Sequence, residues 1–166
     1  MSMYRAYSVD SGLIAISSTG LTPLLYLAPT STNDANIIAV KASIETGSSA
    51  PTAVSNSDLF FSLNTVTGTK AGGGAVTPAK LNTALAANTV VSSAASAAIT
   101  GLTQAAEQWG GAIPFTAGAF TNEAWENTGR EINLAASSLN AFYVSVPSGP
   151  GVGANWSVRV VCWLAE

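Results

Sequence analysis

Asn36-Ile37-Ile38-Ala39-Val40-Lys41-Ala42-Ser43-Ile44-Glu45 is the stretch that decides the fold of this 166-residue chain. Ile38, Val40, Ala42 and Ile44 recur at every second position and point one way, while Lys41, Ser43 and Glu45 point the other. Two-residue alternation belongs to a β-strand, whose successive side chains leave opposite faces of the sheet. One face then meets a core, and the other meets water or a partner. The last segment, Asn155–Leu164, repeats the pattern. Trp156, Val158, Val160, Cys162 and Leu164 share one face, and Arg159, Val161 and Trp163 lie opposite.

Outward from these two strands, apolar bursts bounded by Gly, Pro, Ser, Thr and Asn mark further candidates at Leu13–Ser18, Pro23–Leu27, Asp58–Val66, Phe120–Glu126, Arg130–Leu134 and Asn140–Val146. That makes about eight strands, at the spacing of an antiparallel sandwich or barrel. Pro23 suits a strand start or an edge, where its missing N–H costs nothing. Two regions break the rhythm. Gly68–Ala75, with three consecutive glycines, predicts an exposed flexible loop or hairpin tip. Beyond it the spacing allows a short helix in the 78–108 region, with Thr77 as cap, Pro78 in the first turn, and helix propensity again at Leu102–Gln108. No repeat or composition shift marks a second domain. The expected organisation is an N-terminal arm over residues 1–12 and one β-sandwich domain over 13–166.

Composition excludes several function classes. Only 9 % of residues are charged, 6 Lys+Arg against 9 Asp+Glu, where about 25 % is ordinary. Their place is taken by small neutral residues, since hydrophobic content is an ordinary 48 %. A net charge of −3 gives no basic footprint for nucleic acid. The absence of histidine removes the commonest general base and metal ligand. The single cysteine, Cys162, allows neither an internal disulfide nor a multi-cysteine zinc site and reads as a small buried hydrophobe. The uncharged stretches Leu81–Ala106 and Ile132–Val158 hold too many Asn, Ser and Thr, and the second a Pro-Ser-Gly-Pro-Gly turn, to cross a bilayer. The N-terminus lacks the apolar run of a secretory signal, so no membrane partner is expected.

Catalytic motifs are equally absent. Glu123, Glu126 and Glu131 form the acidic cluster, but Glu123 and Glu126, three apart on a strand, point to opposite faces, unlike a glycosidase pair. Lys70 precedes Gly72–Gly74, the reverse of a phosphate loop. Asn155-Trp156-Ser157 matches a glycosylation sequon inside a predicted strand, and reads as accidental. No enzyme, cofactor or metal is therefore expected. Trp109, Trp125, Trp156 and Trp163 suit a core or an interface better than sugar platforms. Trp163 and Val161, facing away from the core side of their strand, want a cover.

Several segments, taken in order, carry a resemblance: Ile14-Ala15-Ile16-Ser17-Ser18-Thr19, Ile38–Glu45, Gly72-Gly73-Gly74-Ala75-Val76-Thr77-Pro78-Ala79-Lys80-Leu81, Arg130-Glu131-Ile132 and Ser157–Glu166. From about Leu13 to Glu166 the chain resembles the small single-domain jelly-roll proteins encoded among the virion genes of tailed bacteriophages. Asn82–Gln108 departs from that pattern by being richer in Ala and Ser. The resemblance implies a jelly-roll sandwich and a structural role on the capsid surface, as a decoration or cement protein made in the host cytoplasm. The implied partners are the major capsid protein and the chain itself, as a homo-oligomer, in that family commonly a trimer. Scarce charge agrees, because a surface covered by protein needs few charges to stay soluble. The candidate assembly residues are Tyr4, Arg5, Tyr7, Val161 and Trp163. A shell-forming capsid or tail protein is the alternative within the structural class. In another class it is a carbohydrate-binding module using Trp125 or Trp163.

Overall fold

A computed structural model describes residues 5–16, 20–46, 58–83, 85–116, 118–125, 128–146 and 156–166. Every regular element among them is a β-strand: β1 (Ala6–Asp10), β2 (Ile14–Ile16), β3 (Gly20–Ala28), β4 (Ala35–Thr46), β5 (Asp58–Gly72), β6 (Gly74–Val76), β7 (Ala79–Lys80), β8 (Val90–Ser93), β9 (Ile99–Pro114), β10 (Phe120–Ala124), β11 (Ile132–Leu134), β12 (Asn140–Val146) and β13 (Trp156–Ala165). They form two antiparallel sheets. Sheet A runs β10-β4-β13-β1-β7, with β11 also on β4 and β2 on β13, and sheet B runs β6-β8-β3-β12-β5-β9. The long strands pair in a nested way. β1 lies on β13, β3 on β12, β4 on β10 and β5 on β9. The chain thus doubles back on itself as one long antiparallel ribbon, bent so that its pairs alternate between the two sheets.

Alternation along each strand fills the space between the sheets. Val158, Val160, Cys162 and Leu164 of β13, with Val40, Ala42 and Ile44 of β4, meet Leu25, Leu27, Phe61, Leu63, Phe142 and Val144 of sheet B in one buried cluster. Each such side chain contributes roughly 1.5–3 kcal/mol by leaving water. Trp109 closes the β9 side, its ring edge-on to Phe142 at 6.1 Å and 70°. The alternation expected for β13 holds in full, with Arg159, Val161 and Trp163 outward and only part-buried.

Four expectations are corrected. Residues 78–108 contain no helix among those described. They form β7, β8 and most of β9. Local propensity loses to pairing, because β9 lies along β5 from Ile99 onward and Gly101, with φ +76°, weakens a helix.

The glycine-rich stretch is likewise no free loop. β5 continues to Gly72, which pairs with Ile99 through register shifts. Gly68 and Gly101 both have positive φ, and a Cβ on either would strike a carbonyl of the facing strand, that of Gly101 or of Thr69. The glycines permit close, bulged pairing where a flexible tip was expected.

The arm is corrected from Ala6 onward. β1 is an inner strand of sheet A between β13 and β7, with Tyr7 and Val9 fully buried.

Finally, Ile38 does not join the core row. The β4–β13 register slips between Ala39 and Ile37, leaving Ile38 as the extra residue of a bulge, so Ile37 faces the core.

Candidate functional site

The expected assembly residues separate into three environments. Tyr4 lies outside the described residues. Tyr7 is core, its hydroxyl donating to the Ala86 carbonyl at 3.1 Å, so it is no contact residue for a partner. Arg5 is part-exposed beside β1, its backbone exchanging two 2.9 Å hydrogen bonds with that of Glu166. Val161 and Trp163 stand on the outer face of sheet A, as the alternation of β13 requires.

Trp163 forms part of a cleft there. It is paired with Ala39 on one side and Ser8 on the other, and Ala39 is paired with Ala124. These small neighbours leave the indole's flanks open. The bulge at Ile38 and the segment at Leu81 and Asn82 supply walls, giving a cleft of about 420 Å³ lined by Ala6, Ile38, Ala39, Leu81, Asn82, Asn122, Ala124 and Trp163. Leu81 donates its N–H to the Ala6 carbonyl at 3.0 Å, and Asn82 Oδ1 accepts the Ala6 N–H at 2.7 Å. The Leu81–Asn82 wall is thereby fixed to β1. Asn122 rises from β10, with an exposed side chain.

Among the described residues no charged side chain lines the cleft. Lys41, beside Asn122 in the ladder, has its ammonium 5.3 Å from the centre of the Phe120 ring. Further along the same face Arg159 grips Asp10, with Nε donating to Oδ1 at 2.9 Å and a second nitrogen to Oδ2, and Glu45 stands 4.0 Å from the guanidinium. The hydrogen bonds from Arg159 hold the Asp10 carboxyl below its usual range, against the opposing pull of partial burial.

The other chemical candidates find structural roles. Lys70 donates to the Gly72 carbonyl at 2.7 Å and lies 5.7 Å from the Tyr26 ring centre. Cys162 is fully buried, which pushes its thiol far up and leaves it un-ionised. Trp109 and Trp156 are buried, Trp156 against Phe115 at 4.5 Å, and Trp125 packs partly buried on the core. Glu123 and Glu131 are part-buried on separate segments, and Glu126 and Asn155 lie outside the described residues. Among the described residues no group of three or more His, Cys, Asp or Glu could hold a metal ion.

Sheet B presents a second outer surface. Phe61 and Val144 face the core, so Phe60 and Ser145 face out. The register places Leu21, Ser145, Phe60 and Ala112 in one row, and Pro23, Tyr143, Ser62 and Gly110 in the next. None of the eight is charged, and Leu21 and Phe60 of the first row are 49 % and 40 % exposed, whereas Tyr143 and Ser62 of the second are buried and the Glu107 carboxylate lies against Gly110. Sequence reasoning found Trp163 and Val161 but not the rest of the cleft, and it missed the sheet B row. Alternation shows that Trp163 faces out, but Asn82 reaches the cleft through a contact 76 residues away in the chain, which no local pattern encodes. No protein-family model matches the chain, and no curated protein matches it.

Proposed function

We propose that the chain is a structural virion protein of a tailed bacteriophage, a capsid decoration or cement protein that adds to the assembled shell. The observation that carries this reading is the uncharged row Leu21, Ser145, Phe60 and Ala112 on sheet B. Four adjacent positions without a charge, with Phe60 and Leu21 open to water, make a surface that gains by being covered, and aromatic side chains are enriched in protein contacts. The nested pairing of first strand with last supports a jelly roll, an architecture used in viral capsid proteins. Only 15 charged residues, 6 basic and 9 acidic, serve the whole chain. That agrees with life inside an assembly, where neighbours replace charge as protection against indiscriminate sticking.

The mechanism is added contact area. A protein that binds the assembled shell and not its separated subunits stabilises the shell by mass action, about 2.7 kcal/mol per site at a hundredfold excess over Kd. Bridging neighbouring capsomers as a homotrimer would multiply the effect, because three linked contacts release together.

The test is to titrate the purified chain onto shells of the encoding virus that lack it. Binding is expected to saturate and to raise the shell's disruption temperature. Leu21→Ser with Phe60→Ser should weaken binding by about tenfold or more while leaving the melting of the free protein cooperative. A monodisperse protein with no affinity for shells overturns the proposal.

A further inference from the structure

We infer that the cleft over Trp163 is a binding site for a neutral sugar, the end of a glycan chain in pyranose form. This inference is independent of the shell contact on sheet B. It rests on the chemistry of the lining. The indole of Trp163 offers the cleft a flat apolar surface of the kind on which the C–H face of a pyranose stacks. Asn82 on one wall and Asn122 on the other carry side-chain amides, which donate to and accept from hydroxyl groups. The Asn82 amide is held in place by the Ala6 N–H, so its orientation is set before any ligand arrives. Ile38 and Leu81 add apolar wall suited to a methyl or N-acetyl substituent.

What the lining lacks selects within the class. With no charged side chain among the described residues of the cleft and Lys41 over Phe120, a phosphate, a carboxylate or an amine would find no ion-pair partner there to offset its lost hydration. The volume, about 420 Å³, lies within the roughly 300–1,000 Å³ range of small-molecule sites and has room for a mono- or disaccharide.

The full chain is titrated with the methyl glycosides of glucose, galactose and mannose and with N-acetylglucosamine. The indole N–H resonance missing from the spectrum of Trp163→Phe serves as the reporter. At least one of these sugars should shift it saturably, with a Kd of about 0.1–10 mM, the range of a single-ring contact. Trp163→Ala should abolish binding and Asn122→Ala should weaken it severalfold. Glucose 6-phosphate and N-acetylneuraminic acid should bind at least about tenfold more weakly than the best neutral sugar. No saturable shift from any neutral sugar up to about 50 mM overturns the inference. So does binding that survives Trp163→Ala, or charged sugars binding as well as neutral ones. If Trp163→Ala does not fold, Asn122→Ala on the exposed edge strand decides, and unchanged affinity there overturns it. Failure here leaves the shell reading standing, since that is measured on particles through Leu21 and Phe60.

Discussion

At the scale of single residues, the few charges are used as fasteners. Glu166 accepts from the backbone of Asn88 and Thr89 and from the Thr89 hydroxyl, at 2.7–2.8 Å, and so draws the segment after β7 against the chain's last strand. Asp10 does similar work for β1, taking Arg159 of β13 across the ladder and the Gly12 N–H at 2.8 Å as the chain turns. Because the folded Asp10 pKa lies below its unfolded value of about 3.8, its contribution is complete above that value. It is lost as pH falls through the folded pKa. The side chains are about 40 % exposed, so solvent screening limits the pair to about 0.5–1 kcal/mol. Asp10→Asn should cost that much at pH 7 and less at about pH 3, below the unfolded value, where the advantage of the charged form is already falling away. Urea midpoints of the two proteins at both pH values check it, and an equal difference at both would show that charge is not the source.

At the scale of elements, β4, β5 and β13 were legible because each buries alternate side chains against the core, and burial leaves a two-residue period in sequence; β12 was legible as a short apolar run because it is buried on both faces. β9 was not. From Thr100 to Glu107 it is an edge strand exposed nearly throughout, so core packing imposes no pattern on it and its Ala and Gln residues read as helical. The bulge at Ile38 was hidden for a related reason. Ile37 and Ile38 are equally apolar, and only the pairing with β13 decides which faces inward. The sugar cleft inherits that difficulty, since it exists because of the bulge. Within β9, Gly101 separates backbone conformation from packing. Gly101 and Gly118 both have φ near +75 to +80, at +76° and +79°, but a Cβ at Gly101 meets the Thr69 carbonyl while one at Gly118 meets nothing within 4 Å. Gly118→Ala should therefore cost about 1 kcal/mol of backbone strain, and Gly101→Ala about 2–3 kcal/mol, because β9 must also move away from β5. Thermal denaturation of the two variants measures the gap, and equal losses would mean that the ribbon yields without cost.

At the scale of the whole molecule, nested pairing makes the two ends of the chain interdependent. β1 is laid against β13, whose Cys162 and Leu164 pair with Val9 and Tyr7 of β1, so sheet A closes only when the last residues have been made. Pairings of such sequence separation belong to domains that fold in milliseconds to seconds. The same geometry means that the first ten residues are not a detachable arm. Removing Met1 to Asp10 takes away Tyr7 and Val9, both fully buried, at roughly 1.5–3 kcal/mol each. It also takes away the strand that β7 and β13 both use, and the partner of Arg159. The total, about 4–6 kcal/mol with the lost ladder, is a large part of the 5–15 kcal/mol by which a domain is usually stable. The truncated chain should lose about 10–20 °C in Tm, or its cooperative transition altogether. Calorimetry of the truncated and full chains decides the matter. A truncation that melts within about 3 °C of the full chain would mean that β1 is an adherent segment rather than a working strand of sheet A. The cleft would then lose the wall that Ala6, Leu81 and Asn82 build together, while the sandwich stood without it.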